Sequence, residues 1–215
     1  DDNSSDNSSI LIKSYSKQDD RIKPVFLNDN LGPAMARNKA ISTAKGKYIA
    51  FLDSDDIWSK NKLKIQVSYM EKNNISFSHT SYHIINASNK NISVRLAKKK
   101  IMFHNLIKSC DIGLSTVILK SSLLNKNKLL FPKIKTKEDY VLWLKIIKKI
   151  KIIRGLNIKL VRYRKTENSL SSNKILGLIN GYLVYRKYMN YGLMKSFLYF
   201  CILSLNFFKK NRFNF

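Results

Sequence analysis

Apolar positions change their spacing several times along the chain, and each change marks an element. Tyr48-Ile49-Ala50-Phe51-Leu52 is an almost continuous apolar run between Lys47 and Asp53, the pattern of a strand buried on both faces, as in a parallel sheet. Just upstream, Ala36, Ala40, Ile41 and Ala44 recur at helical spacing, with Pro33 in the first turn and Gly46 where a C-terminal cap falls. A helix leading into a buried strand is half of an α/β unit. Leu63, Val67 and Met70 predict one face of a second helix capped by Ser59. Leu142, Trp143, Ile146, Ile147 and Ile150 predict another, beginning at Glu138. Shorter runs predict strands over Ser76–His83, Leu114–Leu119 and Asn157–Tyr163, a strand edge over Pro24–Leu27 and an amphipathic turn or two around Ile101–Lys108. Asp1 to Ser9 is polar and reads as a loop leaving a strand. From Asn173 onward two helical stretches are expected, broken near Asn190–Gly192.

Charge adds the next constraint. Forty Lys and Arg against fourteen Asp and Glu leave a formal charge of +26, which suits nucleic acid, an anionic membrane surface or anionic substrates. Lys, Asn and Ile are over-used together, as AT-rich codons would produce, and the lysines are spread through the whole chain. A dedicated nucleic-acid module concentrates them, so no nucleic acid is expected as partner. Cys110 and Cys201 form no metal-binding or disulfide pattern, which points to the reducing cytoplasm. The stretch from Tyr191 to Phe208 is strongly apolar with basic flanks. It is borderline for a bilayer span; a helix lying in the membrane interface and a helix packed on the domain both remain open.

Asp53-Ser54-Asp55-Asp56 closes the apolar run. Carboxylates this close repel one another unless a cation or hydrogen-bond donors offset the charge. Hard cations such as Mn²⁺ or Mg²⁺ take oxygen ligands and are shared with substrate phosphates. Open α/β sheets bind ligands beyond the carboxyl ends of their strands. The plain alternative is a solvated acidic turn. Glu138-Asp139 likewise has the plain reading of acids favoured by a helix N-terminus, and Trp58 and Trp143 read as packing anchors.

Taken in order, these segments resemble family 2 glycosyltransferases. The resemblance lies in Asp1-Asp2-Asn3-Ser4-Ser5-Asp6, in Gly32-Pro33-Ala34-Met35-Ala36-Arg37-Asn38, in Gly46 through Trp58 with its Asp53-Ser54-Asp55-Asp56, in Glu138-Asp139-Tyr140-Val141-Leu142-Trp143, and in Tyr163-Arg164 followed by Ser169-Leu170-Ser171. It implies an α/β fold of the GT-A type, a Rossmann-like mixed sheet flanked by helices, over residues 1–165, with a helical tail over 166–215. It also implies an inverting transfer of sugar from a nucleotide donor, UDP-linked by preference, to a glycan or lipid-linked acceptor in surface polysaccharide or lipopolysaccharide assembly. In that reading Asp2, and less centrally Asp1, sit near the nucleoside, Arg37 near the base or diphosphate, and Asp53 near the ribose. Asp55 holds Mn²⁺ or Mg²⁺, Asp139 is the general base with Glu138 beside it, and Arg164 and Ser169 lie on a loop closing over donor or acceptor. The family's first strand and helix precede the Asp1-Asp2 loop, so the chain as it stands is expected to be poorly stable or inactive without them. Two rival readings are a basic nucleic-acid- or membrane-binding module and a non-catalytic relic of such an enzyme. The expected location is cytoplasmic, with the tail a candidate for contact with the inner membrane face.

Overall fold

The computed structural model describes residues 1–166 and 174–212. Seven strands form one sheet: β1 (Tyr48–Ala50), β2 (Ile57–Trp58), β3 (Phe77–Ile85), β4 (Asn91–Arg95), β5 (Lys100–Met102), β6 (Ile118–Lys120) and β7 (Ile152–Arg164). The order is β1-β6-β3-β7-β2, with β4 added to β3 and β5 to β7. Among the described residues only the long central pair β3–β7 runs parallel, from Ser78 beside Arg154 to Ile85 beside Arg164. The sheet is therefore mixed, as expected. β1 departs from the expected parallel neighbourhood. It pairs antiparallel with β6 at the edge of the described sheet, and of its three residues only Ile49 is buried.

Helices cover both faces. α1 (Ser8–Gln18), α2 (Pro33–Thr43), α3 (Lys62–Lys72), α4 (Phe103–Leu106), α5 (Ser121–Asn127), α6 (Glu138–Ile150), α7 (Lys174–Leu183) and α8 (Leu193–Arg212) follow in chain order. Period-two alternation divides β1 between two cores. Ile49, with Phe51 beyond it, joins the main cluster around α6, whereas Tyr48 and Ala50 pack with Met70, Ile75 and Ile118 beside α3. Phe51, Phe131 and Phe77 all meet the Trp143 ring, at centroid distances of 6.0, 6.1 and 5.0 Å. Trp143 is thus the packing anchor it was expected to be.

Several local expectations shift. Residues 8 and 9 belong to α1 rather than to a loop, and Pro24–Leu27 forms no strand, although the Leu27 amide donates to the Asp1 carbonyl. Leu114–Thr116 is a 3-10 turn, so the strand starts only at Ile118. α3 begins after Asn61, not Ser59, and buries Lys62, Gln66 and Met70 while Leu63 is exposed.

The stripe on α6 widens to almost its full circumference. Tyr140 through Leu144, Ile146 and Ile147 are all buried, because the sheet covers one side and the tail the other. A π-helical segment, Val184–Tyr188, follows α7, and Val184, Tyr185, Met189 and Leu203 enter the same core as α6. The Tyr185 hydroxyl donates to the Ile107 carbonyl at 2.8 Å, and Tyr140 donates to that of Leu106 at 2.8 Å. Among the described residues no helix is long and apolar enough to cross a membrane.

Candidate functional site

Two acidic segments far apart in sequence meet through one arginine. α2 enters on Gly32, whose φ of 89° is a left-handed conformation that favours glycine. Pro33 at the first helical position loses nothing by lacking an N–H. The helix then carries Arg37 between the end of β1 and the start of α6. Arg37 Nη2 meets Asp53 Oδ1 at 2.6 Å and Nη1 meets Glu138 Oε1 at 2.6 Å. Burial works against the Arg37 charge, but the two carboxylates outweigh it and its pKa rises. Asn38 adds a second tie: its amide exchanges two 2.9 Å hydrogen bonds with the Phe131 backbone, which fixes the segment leading into α6.

α6 starts after Lys137, itself left-handed at φ 66°, so the turn is abrupt and both acids fall in the first helical turn. Glu138 is buried against Arg37. Asp139 is half-buried and accepts the Tyr140 N–H at 2.6 Å. Burial, reinforced by the charge of Glu138, pushes the Asp139 carboxyl up to about 7.

The loop after β1 divides its three carboxylates among different tasks. Asp53 takes Arg37. Asp56 turns inward: its Oδ1 accepts the Arg164 N–H at 2.8 Å, its buried Oδ2 has no hydrogen-bond partner among the described residues, and burial raises its carboxyl to about 6. Asp55 is exposed, and no hydrogen bond or ion pair engages its carboxylate among the described residues. The Ser115 hydroxyl also accepts the Asp53 N–H at 3.1 Å. Ser115 is a residue that sequence reasoning missed, because a serine inside an apolar run carries no chemical signature.

The remaining expected residues fall as follows. Asp2 accepts the Leu31 and Gly32 amides at 2.9 and 2.7 Å, bracing the entry to α2. Asp1 accepts the Ser4 amide and hydroxyl. Arg164 needs correction in place: instead of riding a closing loop, it is the last residue of β7. Its guanidinium bonds the Asp55 carbonyl at 2.9 Å, the Asn86 and Ala87 carbonyls at 3.1 Å each, and the Asn89 side chain at 2.9 Å. A strand end needs its neighbours tied, and Arg164 ties the acidic loop to the β3–β4 turn. Ser169 lies outside the described residues. Two open concavities, of about 670 and 360 Å³, flank α2; the smaller shares Arg37 with the acidic cluster and runs along the free edge of β1.

No group of three or more His, Cys, Asp or Glu side chains among the described residues could hold a metal alone. A hard cation taken up with a diphosphate needs only one or two protein carboxylates, the phosphates supplying the other oxygens. An exposed, unengaged Asp55 beside a braced loop fits that donor set.

A mixed α/β sheet thus carries a carboxylate loop beyond a strand end and a second acidic pair at a helix start, joined by Arg37. The sequence profile described as Glycosyl transferase family 2 matches residues 1–130. The UDP-Glc:alpha-D-GlcNAc-diphosphoundecaprenol beta-1,3-glucosyltransferase WfgD of Escherichia coli is 46% identical over 176 residues, covering 81% of this chain and 67% of that protein. Among solved structures, S. aureus TarS 1-349 in complex with UDP-GlcNAc superposes with a TM-score of 0.68 at 21% identity, over 100% of this chain and 63% of that one. The mannosyltransferase PcManGT from Pyrobaculum calidifontis, in complex with GDP-Man and Mn²⁺, gives 0.58 at 15% identity, over 89% and 54%. This chain belongs to glycosyltransferase family 2 and has the GT-A fold. It is a glycosyltransferase by class, and it spans less than two thirds of these two crystallised chains.

Proposed function

We propose that the chain transfers a sugar, with inversion, from a UDP-linked donor to a lipid-linked glycan acceptor during surface polysaccharide assembly. The observation that carries this reading is the Arg37 bridge, which gathers the Asp53–Asp56 loop and the Glu138–Asp139 helix start into one cluster. WfgD is named for a UDP-Glc donor and a diphosphoundecaprenol acceptor, and TarS was crystallised with UDP-GlcNAc. In this reading Asp55 holds Mn²⁺ or Mg²⁺, and a bound cation supplies charge neutralisation at the departing diphosphate. Asp53 and Arg37 border the nucleotide, with Asp2 and Asp1 shaping its loop. Asp139 takes the proton of the acceptor hydroxyl, and a carboxyl poised near 7 suits that task at neutral pH. Glu138, spent on Arg37, holds the helix start in place and keeps the Asp139 carboxyl raised. Transfer measured with and without Mn²⁺, for the wild type, Asp55→Ala and Asp139→Asn, tests this; full activity in either variant would sink it.

The tail adds a membrane surface to the proposal. Its inner face is built into the core, while Leu193, Met194, Phe197, Leu198, Phe207 and Phe208 are exposed on α8. Lys187, Lys195 and Lys209 accompany them, and no acid occurs after Glu167. Apolar exposure edged with cations suits the interface of an anionic leaflet, where a lipid-linked acceptor resides. The chain would then work at the cytoplasmic membrane face. Flotation with anionic liposomes tests it.

A further inference from the structure

Behind the acidic loop lies a lysine shut off from water. Lys62 is fully buried on α3, and no carboxylate pairs with it among the described residues. Its ammonium donates to Gln66 Oε1 at 2.8 Å and lies 4.4 Å from the centre of the Trp58 ring. Gln66, equally buried, donates onward to Ser78 Oγ at 2.9 Å and to the Thr116 carbonyl at 3.0 Å. The Trp58 indole donates to the Ser115 carbonyl at 2.8 Å. Two consecutive carbonyls of the Leu114–Thr116 turn are therefore gripped from the inside by groups that Lys62 touches. On its outer side the same turn grips the loop: the Ser115 hydroxyl accepts the Asp53 N–H at 3.1 Å.

Such an arrangement is costly. An ammonium buried without a counter-charge loses its hydration, and burial pulls Lys62 down to about 7. A methionine would fill the same space without that penalty. Packing alone therefore does not account for a lysine here, whereas a fixed donor at the root of a hydrogen-bond chain does.

We infer that Lys62 is a positioning residue that, through Gln66, Trp58 and the Leu114–Thr116 turn, sets the Asp53–Asp56 loop for a nucleoside diphosphate and its cation. This rests on the donor-site reading above. The test is calorimetric titration of the full chain with UDP in the presence of Mn²⁺, alongside thermal unfolding. Lys62→Met is expected to keep its unfolding midpoint yet lose about tenfold in affinity, the size typical of disturbing the groups behind a metal ligand. Ser115→Ala is expected to lose a similar factor, and the double variant to lose less than the product, since both act along one path. Should Lys62→Met fail to fold, Trp58→Phe removes the indole bond to the Ser115 carbonyl and part of the ring against Lys62, and is expected to weaken binding several-fold. A folded Lys62→Met or Trp58→Phe that binds like the wild type, or full additivity with Ser115→Ala, overturns the assignment. Wild-type protein that ignores Mn²⁺ and UDP, or binding untouched by Asp55→Ala, strikes the donor site itself.

Discussion

The two ends of the molecule hold the same helix by opposite means. At the N-terminus of α6 the contacts are ionic: Arg37 reaches from α2 to Glu138 and Asp53, and the acidic loop is tied by Arg164 and Ser115. Along its body the contacts are aromatic and apolar, with Tyr140 donating to the Leu106 carbonyl, Tyr185 to that of Ile107, and Val184, Met189 and Leu203 closing the core. The ionic end leaves Asp55 and Asp139 available for chemistry. The apolar end leaves none, yet presents a hydrophobic outer surface. Polar ties can hold a site that must stay wet and charged; apolar packing serves where only attachment is needed.

The comparison can be broken most sharply at Asp139. Asp139→Asn keeps the shape but removes the proposed base, and transfer is expected to fall by about 10²–10⁴-fold. The wild-type rate should rise with pH through about 7, as the carboxyl loses its proton, and the variant should lack that limb. Stability moves the other way. The folded carboxyl binds its proton more tightly than the unfolded one, so folding is favoured at low pH and the advantage disappears between about pH 4 and 7. At pH 8 the asparagine variant should therefore unfold at a higher denaturant concentration than the wild type.

Arg37→Ala comes next. It strands a buried Glu138 and half-buried Asp53, and is expected to cost about 3 kcal/mol in a urea titration. A loss below about 1 kcal/mol would mean that the two acidic segments are held together by packing instead. At the other end, Tyr185→Phe removes one buried donor and should cost about 1 kcal/mol. Smallest of all, Met194→Ser and Phe197→Ser together should change stability by less than about 0.5 kcal/mol per residue. They should nevertheless abolish flotation with anionic liposomes. Equal flotation of the double variant would confine the tail to its packing role.

What could be read from the sequence follows from how local each feature is. The apolar run before Asp53-Ser54-Asp55-Asp56, and Glu138-Asp139 opening a striped helix, are contiguous patterns; the acids open α6 as read, whereas β1 ends at Ala50 and Leu52 is exposed, so the acidic loop starts beyond the strand. The family and its fold followed from their order. Arg37 was legible as a candidate, but its bridging partners lie 16 and 101 residues away, a distance over which periodicity says nothing. α3 misled because Leu63 looks like core. Its buried side is instead set by Lys62 and Gln66, whose hydrogen-bond partners arrive from the sheet and the Leu114–Thr116 turn. β4 and α5 carry too few apolar residues to announce themselves, and β7 runs further than its apolar stretch because β3 pairs with it along most of its length. The tail's helices and their break were readable, whereas its attachment depends on Tyr185 finding the Ile107 carbonyl in another part of the chain.

In the proposed reading Asp55 and Asp139 serve one site in different capacities. Titrating UDP into each variant with Mn²⁺ present, and assaying transfer in the same samples, tests it most directly. Asp139→Asn is expected to bind as the wild type does but to turn over at least a hundredfold more slowly, as loss of a general base implies, while Asp55→Ala is expected to lose the Mn²⁺-dependent part of binding. If Asp55→Ala binds unchanged, or Asp139→Asn transfers at the wild-type rate, the two carboxylates do not share the work.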